Sequence, residues 1–460
     1  MEIKFLKVIF LFKLKKKIFS QKKLKNTIKR MKNLIYIFLF FISSSYITLP
    51  FRKKLNNSLT PENLMTTLYD NSLLTNITLG TPEKTLEINI KMRKYPIHII
   101  GPFCKEGIPF FDDRNSSSFR YYDPEEEMFS GEDFLYALLG FDNFIIGKEK
   151  IKVNALDFYL ASRIKYKSSG VLGLGISPND KNTYYSNFVR FIKNQKLIQK
   201  IDFFFDFINE NEGNLIIGDL PHIYNSKKYD SKKYQVMRVH ISQTMGQYYD
   251  IGFDNLTYGN KVFESNFFIG QISVENGLIQ SSKTFGKNIT ESFFRKYLNI
   301  NLCEFNNFTI HKSVMTSFVC SKDIDIKNFE DIHFSIITQK NIFTLTYKDV
   351  FMEFQGKIYF LIYFNDYYGD NWELGEIFLK KYPMSFDQEN KRIGFYYEDK
   401  KNDFSILYLP WIIVLIFLFI IIFLAYVIYH LIRKMKSRKK RANELEDDYE
   451  YIDYKDKTIN

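Results

Sequence analysis

Trp372-Glu373-Leu374-Gly375-Glu376-Ile377-Phe378-Leu379, with Phe386-Asp387-Gln388-Glu389-Asn390-Lys391-Arg392-Ile393-Gly394-Phe395 close behind it, decides how this 460-residue chain is read. An apolar residue just before Gly375, then a helical pattern over 375–381, describes a strand that ends where another stretch of backbone comes close, since glycine leaves room for such an approach. Leu172-Gly173 repeats the arrangement in the first half of the chain. Short apolar runs bounded by Gly, Asn and Asp recur around both, at 77–79, 86–90, 97–100, 134–141, 143–146, 214–217, 234–241, 248–253 and 358–364. Helical patterns are confined to 185–196, 292–298 and 375–381. Many short strands with a few isolated helices predict an all-β architecture. The length exceeds what one hydrophobic core supports, so two globular units are expected.

The net charge of +12 is unevenly placed. Residues 1–30 hold eleven Lys and Arg against the single Glu2, which leaves the remainder of the chain close to neutral. A nearly balanced folded region has no basic surface for phosphate neutralisation, which excludes nucleic acid as a partner. No residue from 406 to 429 is charged, a run long enough to cross a hydrocarbon layer of roughly 30 Å, and Arg433, Lys434, Lys436, Arg438, Lys439, Lys440 and Arg441 follow at once. A single transmembrane helix over 406–432 with a cytosolic tail, 433–460, is therefore expected. Residues 31–46 have the layout of a secretory signal, with a short basic start, an apolar middle and Ser43-Ser44-Ser45 near the cut; a signal anchor extended by the basic leader is the alternative. Translation from Met31 instead of Met1 would leave the leader out altogether.

Sequons at Asn56, Asn76, Asn115, Asn255, Asn288 and Asn307 all fall between the two apolar segments, which agrees with a lumenal or extracellular ectodomain of a type I membrane protein in the secretory or endolysosomal system or at the cell surface. In that oxidising space Cys303 and Cys320 are the expected disulfide, with Cys104 unassigned and three free thiols as the alternative. The six His are scattered and no Cys/His cluster has ligand spacing, so neither a metal nor another cofactor is expected.

Several motifs together carry a resemblance. Asn76-Ile77-Thr78-Leu79-Gly80-Thr81-Pro82, Phe111 to Phe119 with its Ser116-Ser117-Ser118, Ser169-Gly170-Val171-Leu172-Gly173-Leu174-Gly175 and Gly213-Asn214-Leu215-Ile216-Ile217-Gly218 come in order ahead of the two stretches quoted first. In that order they resemble the pepsin-like aspartic proteases (peptidase A1) over about residues 65 to 397. The resemblance implies a bilobal fold of two β-barrel-like lobes, 65–233 and 234–397, with a cleft between them. It also implies that Gly173 and Gly375 pack against two catalytic loops, one per lobe.

What the family places on those loops is missing. Counting from Gly80-Thr81-Pro82, the first Asp-Thr-Gly falls at Lys91-Met92-Arg93, and the second falls at Glu275-Asn276-Gly277. No Asp-Thr-Gly or Asp-Ser-Gly occurs anywhere; Asp250-Ile251-Gly252 is the nearest substitute and reads as part of an upstream strand. In the family, water lies between two Asp side chains sharing one proton, because like charges about 3 Å apart cannot both ionise. Lys91, with a reference pKa of about 10.4, cannot share a proton with Glu275 and is expected to pair with it as an ammonium. The flap aromatic is Phe129 in place of the family's Tyr, and Gly277 preserves the second loop. The expectation is a membrane-anchored pseudoprotease, its catalytic residues absent, whose cleft binds a peptide or protein. A divergent active endopeptidase using Glu275 and a structural glycosylated surface protein are the alternatives; nothing in the sequence sets the oligomeric state.

Overall fold

Alternation builds the sheets. In the strand Ile332–Ile336, Ile332, Phe334 and Ile336 are buried while His333 and Ser335 are only half-buried, the period-two pattern of a strand with one face on a core. The computed structural model describes residues 46–396 apart from 55–58, 95, 103–107, 123–133, 165–167, 177–186, 241–247, 311, 337–338 and 365–370, together with Phe423, Tyr426, Ile428, Tyr429, Ile432 and Arg433. The chain divides into two units, Met1–Tyr397 and Glu398–Asn460. The first is mostly β, as the strand count in the sequence predicted.

Among the described residues the largest sheet has 13 strands. It opens with three strands of the C-terminal half, Tyr234–Arg238, Arg392–Tyr396 and Met384–Asp387, and crosses to Asp202–Phe207, Glu212–Ile217 and Ile47–Lys53. Beyond these come the strands of the N-terminal half, where Leu73–Leu79 pairs both with Lys84–Lys91 and with Phe134–Ile146, wrapping the sheet round on itself. Three smaller sheets make up the rest of the C-terminal half, one of them the five strands Asp250–Phe253, Phe268–Ile272, Trp372–Leu374, Ile279–Gln280 and Ile362–Tyr363. The interior is aromatic: Phe203, Phe253, Phe334, Phe386 and Trp372 are all buried, with Phe203 and Phe386 stacked across the junction of the two halves at 5.1 Å.

Several boundaries differ from the sequence expectation. The strand Ile47–Lys53 lies ahead of residue 65, where the N-terminal lobe was expected to begin, and pairs antiparallel with Glu212–Ile217. Tyr46, at the end of the expected signal, packs edge-on against Tyr224 with ring centroids 5.4 Å apart. A helix, Leu64–Tyr69, precedes the first family motif. The helical pattern at 292–298 is the end of a longer run that starts at Lys283–Ile289, where Ser282 caps the first turn by accepting from the Phe285 amide at 3.0 Å. The runs at 134–141 and 143–146 form one strand, Phe134–Ile146, whose register shifts at Asp142. There the buried Asp142 carboxylate accepts from Ser116 Oγ at 2.7 Å and Ser118 Oγ at 2.6 Å, which ties the serine motif to the barrel.

Cys303 and Cys320 face each other in the antiparallel pair Cys303–Ile310 and Ser313–Ser321 and are disulfide-bonded, as expected for an oxidising compartment. A loop of this length confines the unfolded chain by about 3 kcal/mol. Reduction, or the double variant Cys303→Ser/Cys320→Ser, is expected to lower unfolding free energy by about that amount in a denaturant titration.

Cys104, Asn56, Phe129, the leader, the expected signal except Tyr46, most of 406–432 and the tail beyond Arg433 lie outside the described residues. Among the described residues no helix is long and apolar enough to cross a membrane. The six described residues beyond 397 are helical and exposed.

Candidate functional site

The second loop, Glu275-Asn276-Gly277, follows directly from the strand Phe268–Ile272 and is held from three sides. Gly375 ends the neighbouring strand Trp372–Leu374, and a Cβ there would stand 1.9 Å from Leu278 O and 2.3 Å from Asn276 O. Glu376 N donates to Asn276 O at 2.8 Å. This is the close approach predicted from Leu374-Gly375. From the other side, the chain leaving the helix Leu64–Tyr69 lies along the loop: Gly277 N donates to Tyr69 O at 3.3 Å, Asn71 N to Glu275 O at 3.1 Å, and Asp70 and Asn276 form an isolated antiparallel bridge. A Cβ on Gly277 would come within 2.1 Å of Leu68 O. Asn71 reaches further, donating to Val274 O at 2.8 Å and to the Glu376 carboxylate, which Lys53 and Lys380 neutralise at 2.6 and 2.8 Å.

The first loop is built differently. Lys91 closes the strand Lys84–Lys91 in parallel register with Gly173, and its carbonyl accepts from Leu174 N at 2.8 Å. The glycine packed against this loop is Gly175, whose Cβ would lie 2.9 Å from Met92 O and 3.0 Å from Lys94 O. Glu275 Oε1 is met from this loop by the backbone amide of Arg93, at 2.9 Å, two residues beyond the position counted from Pro82. Ser273 Oγ donates to the other oxygen, Oε2, at 2.9 Å.

The Arg93 side chain crosses to the C-terminal half and rests on a row of polar groups. In the five-stranded sheet Asp250 pairs with Gln271, Gln271 with Glu373, Glu373 with Gln280 and Gln280 with Tyr363, so all five side chains share one face. Every member except Gln271 is buried. Arg93 bonds to Gln271, lies 3.4 Å from Glu373 Oε2 and stands over the Tyr248 ring at 5.6 Å. At the far end Tyr363 donates to Gln280 Oε1 at 3.1 Å and accepts from Asn276 Nδ2 at 3.0 Å, linking the row back to the second loop.

Electrostatics follow from this packing. Burial works against the Arg93 charge, but Glu373 and then Glu275 outweigh it, and the guanidinium is held ionised more firmly than usual. Burial pushes Asp250 up to about 6, with Arg93 pulling the other way. Burial also raises the Tyr363 phenol well above its ordinary value. A guanidinium neither takes up nor releases a proton in the accessible pH range, so an arginine beside Glu373 and Glu275 makes an ion cluster and not a proton-sharing acid couple.

The family model for eukaryotic aspartyl protease matches residues 72–397. The chain belongs to the eukaryotic aspartyl protease family. No curated protein matches it.

Sequence reasoning located the second loop and Glu275 and the triplet Lys91-Met92-Arg93 opposite it, and the structure brings the Arg93 amide of that triplet to the carboxylate. It did not find the polar row. The visible signal was Glu373 inside the most specific motif and Gln271 in an otherwise apolar strand, two polar residues where a buried sheet needs a reason for them.

Proposed function

We propose that this member of the family is a pseudoprotease: a membrane-anchored, pepsin-like protein whose cleft holds a peptide or protein segment without cutting it. One observation carries the proposal. The Glu275 carboxylate, the acid on the second loop, is engaged by the Arg93 amide and Ser273 hydroxyl, and the neighbouring cationic group is a guanidinium that cannot shuttle a proton. Lys91 and Glu275 thus remain degenerate positions, and Gly277 serves the backbone of the loop. In this proposal residues 31–45 act as the secretory signal and 406–432 as the span, leaving Tyr46 onward in the lumen with the tail in the cytosol. Asn76, Asn115 and Asn307 are exposed, where an oligosaccharide has room, while Asn255 and Asn288 are half-buried and Asn288 Nδ2 donates to Phe263 O at 3.3 Å.

Asp250 supports a second reading, a weak endopeptidase in which it serves as the missing acid, because it is buried, titrates near 6 and lies within the field of Arg93. One assay separates the two. The full-length chain in detergent, incubated with peptide substrates at pH 3 to 6, is expected to show no cleavage sensitive to a transition-state inhibitor of aspartic proteases. Inhibitor-sensitive cleavage abolished by Glu275→Ala or Asp250→Asn would establish the enzyme instead.

A further inference from the structure

The pairing of Met384–Asp387 with Asp202–Phe207 joins the C-terminal strands of the large sheet to the N-terminal ones. Its register sets Asp387 directly opposite Asp202. Two carboxylates at facing positions on paired strands repel when both are ionised, and this pair has little water to spread the charge, since Asp202 is 7 % exposed. A third acid adds to the field. Asp219, two residues past the strand Glu212–Ile217, is 2 % exposed; its Oδ1 accepts from the Leu220 amide at 2.9 Å, and its Oδ2 has no hydrogen-bond partner.

The groups acting on Asp202 from the surrounding elements are mostly of the same sign. Asp387 and Glu389 come from the Met384–Asp387 strand and the turn after it, Asp219 from beyond Glu212–Ile217, and Lys200 is the cation whose field opposes them. Glu389 is itself ion-paired with Lys193 at 2.6 Å, and Asn390 occupies the Asp387 oxygens through its amide at 2.9 Å and its Nδ2 at 2.7 Å. Tyr234 and Tyr249 bring neutral phenols, Tyr234 bonded to Ser385 and Tyr249 to Leu174 O. His222 lies within the field of Asp219, with Nδ1 2.7 Å from Tyr396 Oη.

We propose that the seam between the two halves is a pH-responsive latch: a proton on Asp202 lets the Asp202–Phe207 and Met384–Asp387 strands stay locked, and its loss sets two carboxylates against each other and loosens them. Burial first and Asp387 second push Asp202 up to about 7, against the pull of Lys200. Its value in the unfolded chain is about 3.9. The folded state therefore holds this proton more tightly than the unfolded one. The stabilisation it confers is complete below about pH 4, is lost as pH rises toward 7 and changes no further above that. The latch would suit a protein that works in an acidic lumen. It needs no ligand, so it stands apart from the proposed peptide binding.

Hydrogen exchange of the full-length chain in detergent tests it, with rates corrected for the intrinsic effect of pH. Amides of Asp202–Phe207 and Met384–Asp387 are expected to exchange at least about tenfold faster at pH 8 than at pH 5, within the roughly hundredfold ceiling that a single such group allows. Asp202→Asn, which keeps the shape and removes the charge, is expected to abolish most of that rise; Asp387→Asn is the second variant should the first not fold. A flat wild-type profile, or a rise that persists unchanged in the variants, overturns the latch. A chain that shows the rise and retains no peptide at either pH upholds the latch and refutes the cleft proposal.

Discussion

Replacing Gly375 with alanine is expected to leave little folded protein. The added methyl would overlap the carbonyls of Leu278 and Asn276 at 1.9 and 2.3 Å, and neither is the free end of a flexible side chain. The two oxygens belong to the second loop, which Asn71, Tyr69 and Tyr363 pin on its other sides, so the loop has nowhere to retreat. A loss of about 4 kcal/mol or more is expected, in the range reserved for backbone overlap and buried network failure. Thermal melts of the variant would show it as absent or greatly lowered cooperativity. Gly356→Ala is the matched control: its Cβ would meet nothing within 4 Å, and only its φ of +76° makes alanine unfavourable there, at about 1 kcal/mol. A Gly375→Ala protein melting with the wild type would mean that the strand and loop are not in contact.

Arg93→Leu is expected to cost roughly 2–3 kcal/mol. Removing one partner of a buried ion pair costs about 3–5 kcal/mol because the other charge is stranded, and the lower figure applies here because the Arg93 side chain keeps about a third of its surface in water. The stranded group is Glu373, whose side chain is 9 % exposed, with Gln271 beside it. Arg93→Lys keeps the charge without the planar fork and should recover only part of the loss. Denaturant titration of the three proteins at pH 7 measures the difference. If Arg93→Leu unfolds at the wild-type midpoint, the contact across the two halves contributes nothing, and the ion cluster at the centre of the proposed function is only decorative.

How far the sequence disclosed this protein depends on what kind of signal each part carries. Leu374-Gly375 was legible because a steric constraint has one residue that satisfies it, and the structure puts that glycine where the motif implied. The disulfide was legible because few cysteines were available to choose among. The strand Ile47–Lys53 was missed because its partner, Glu212–Ile217, lies far along the chain, and pairing across that distance leaves no local trace. The helix Leu64–Tyr69 is short and lacks a side-chain cap at Asn63, so neither periodicity nor capping announced it. The Arg93 contact escaped for a third reason. Counting residues from Pro82 places Lys91-Met92-Arg93 on the loop, but which atoms of that triplet reach across to the other half is settled by the fold and leaves no mark in the count. Side-chain rows such as Asp250-Gln271-Glu373-Gln280-Tyr363 exist only once register is known.

The strand Ile47–Lys53 also dictates how the amino terminus can be trimmed. It is an inner slat of the large sheet, with Glu212–Ile217 on one flank and Leu73–Leu79 on the other. A maturation cut among Ser43-Ser44-Ser45 spares it. A cut a few bonds downstream would pull the slat out and bare two hydrogen-bonding edges to any passing chain, an invitation to aggregate. Unlike a removable activation segment, Ile47–Lys53 is a fixed structural part, and any cut that keeps the sheet whole has to fall ahead of it.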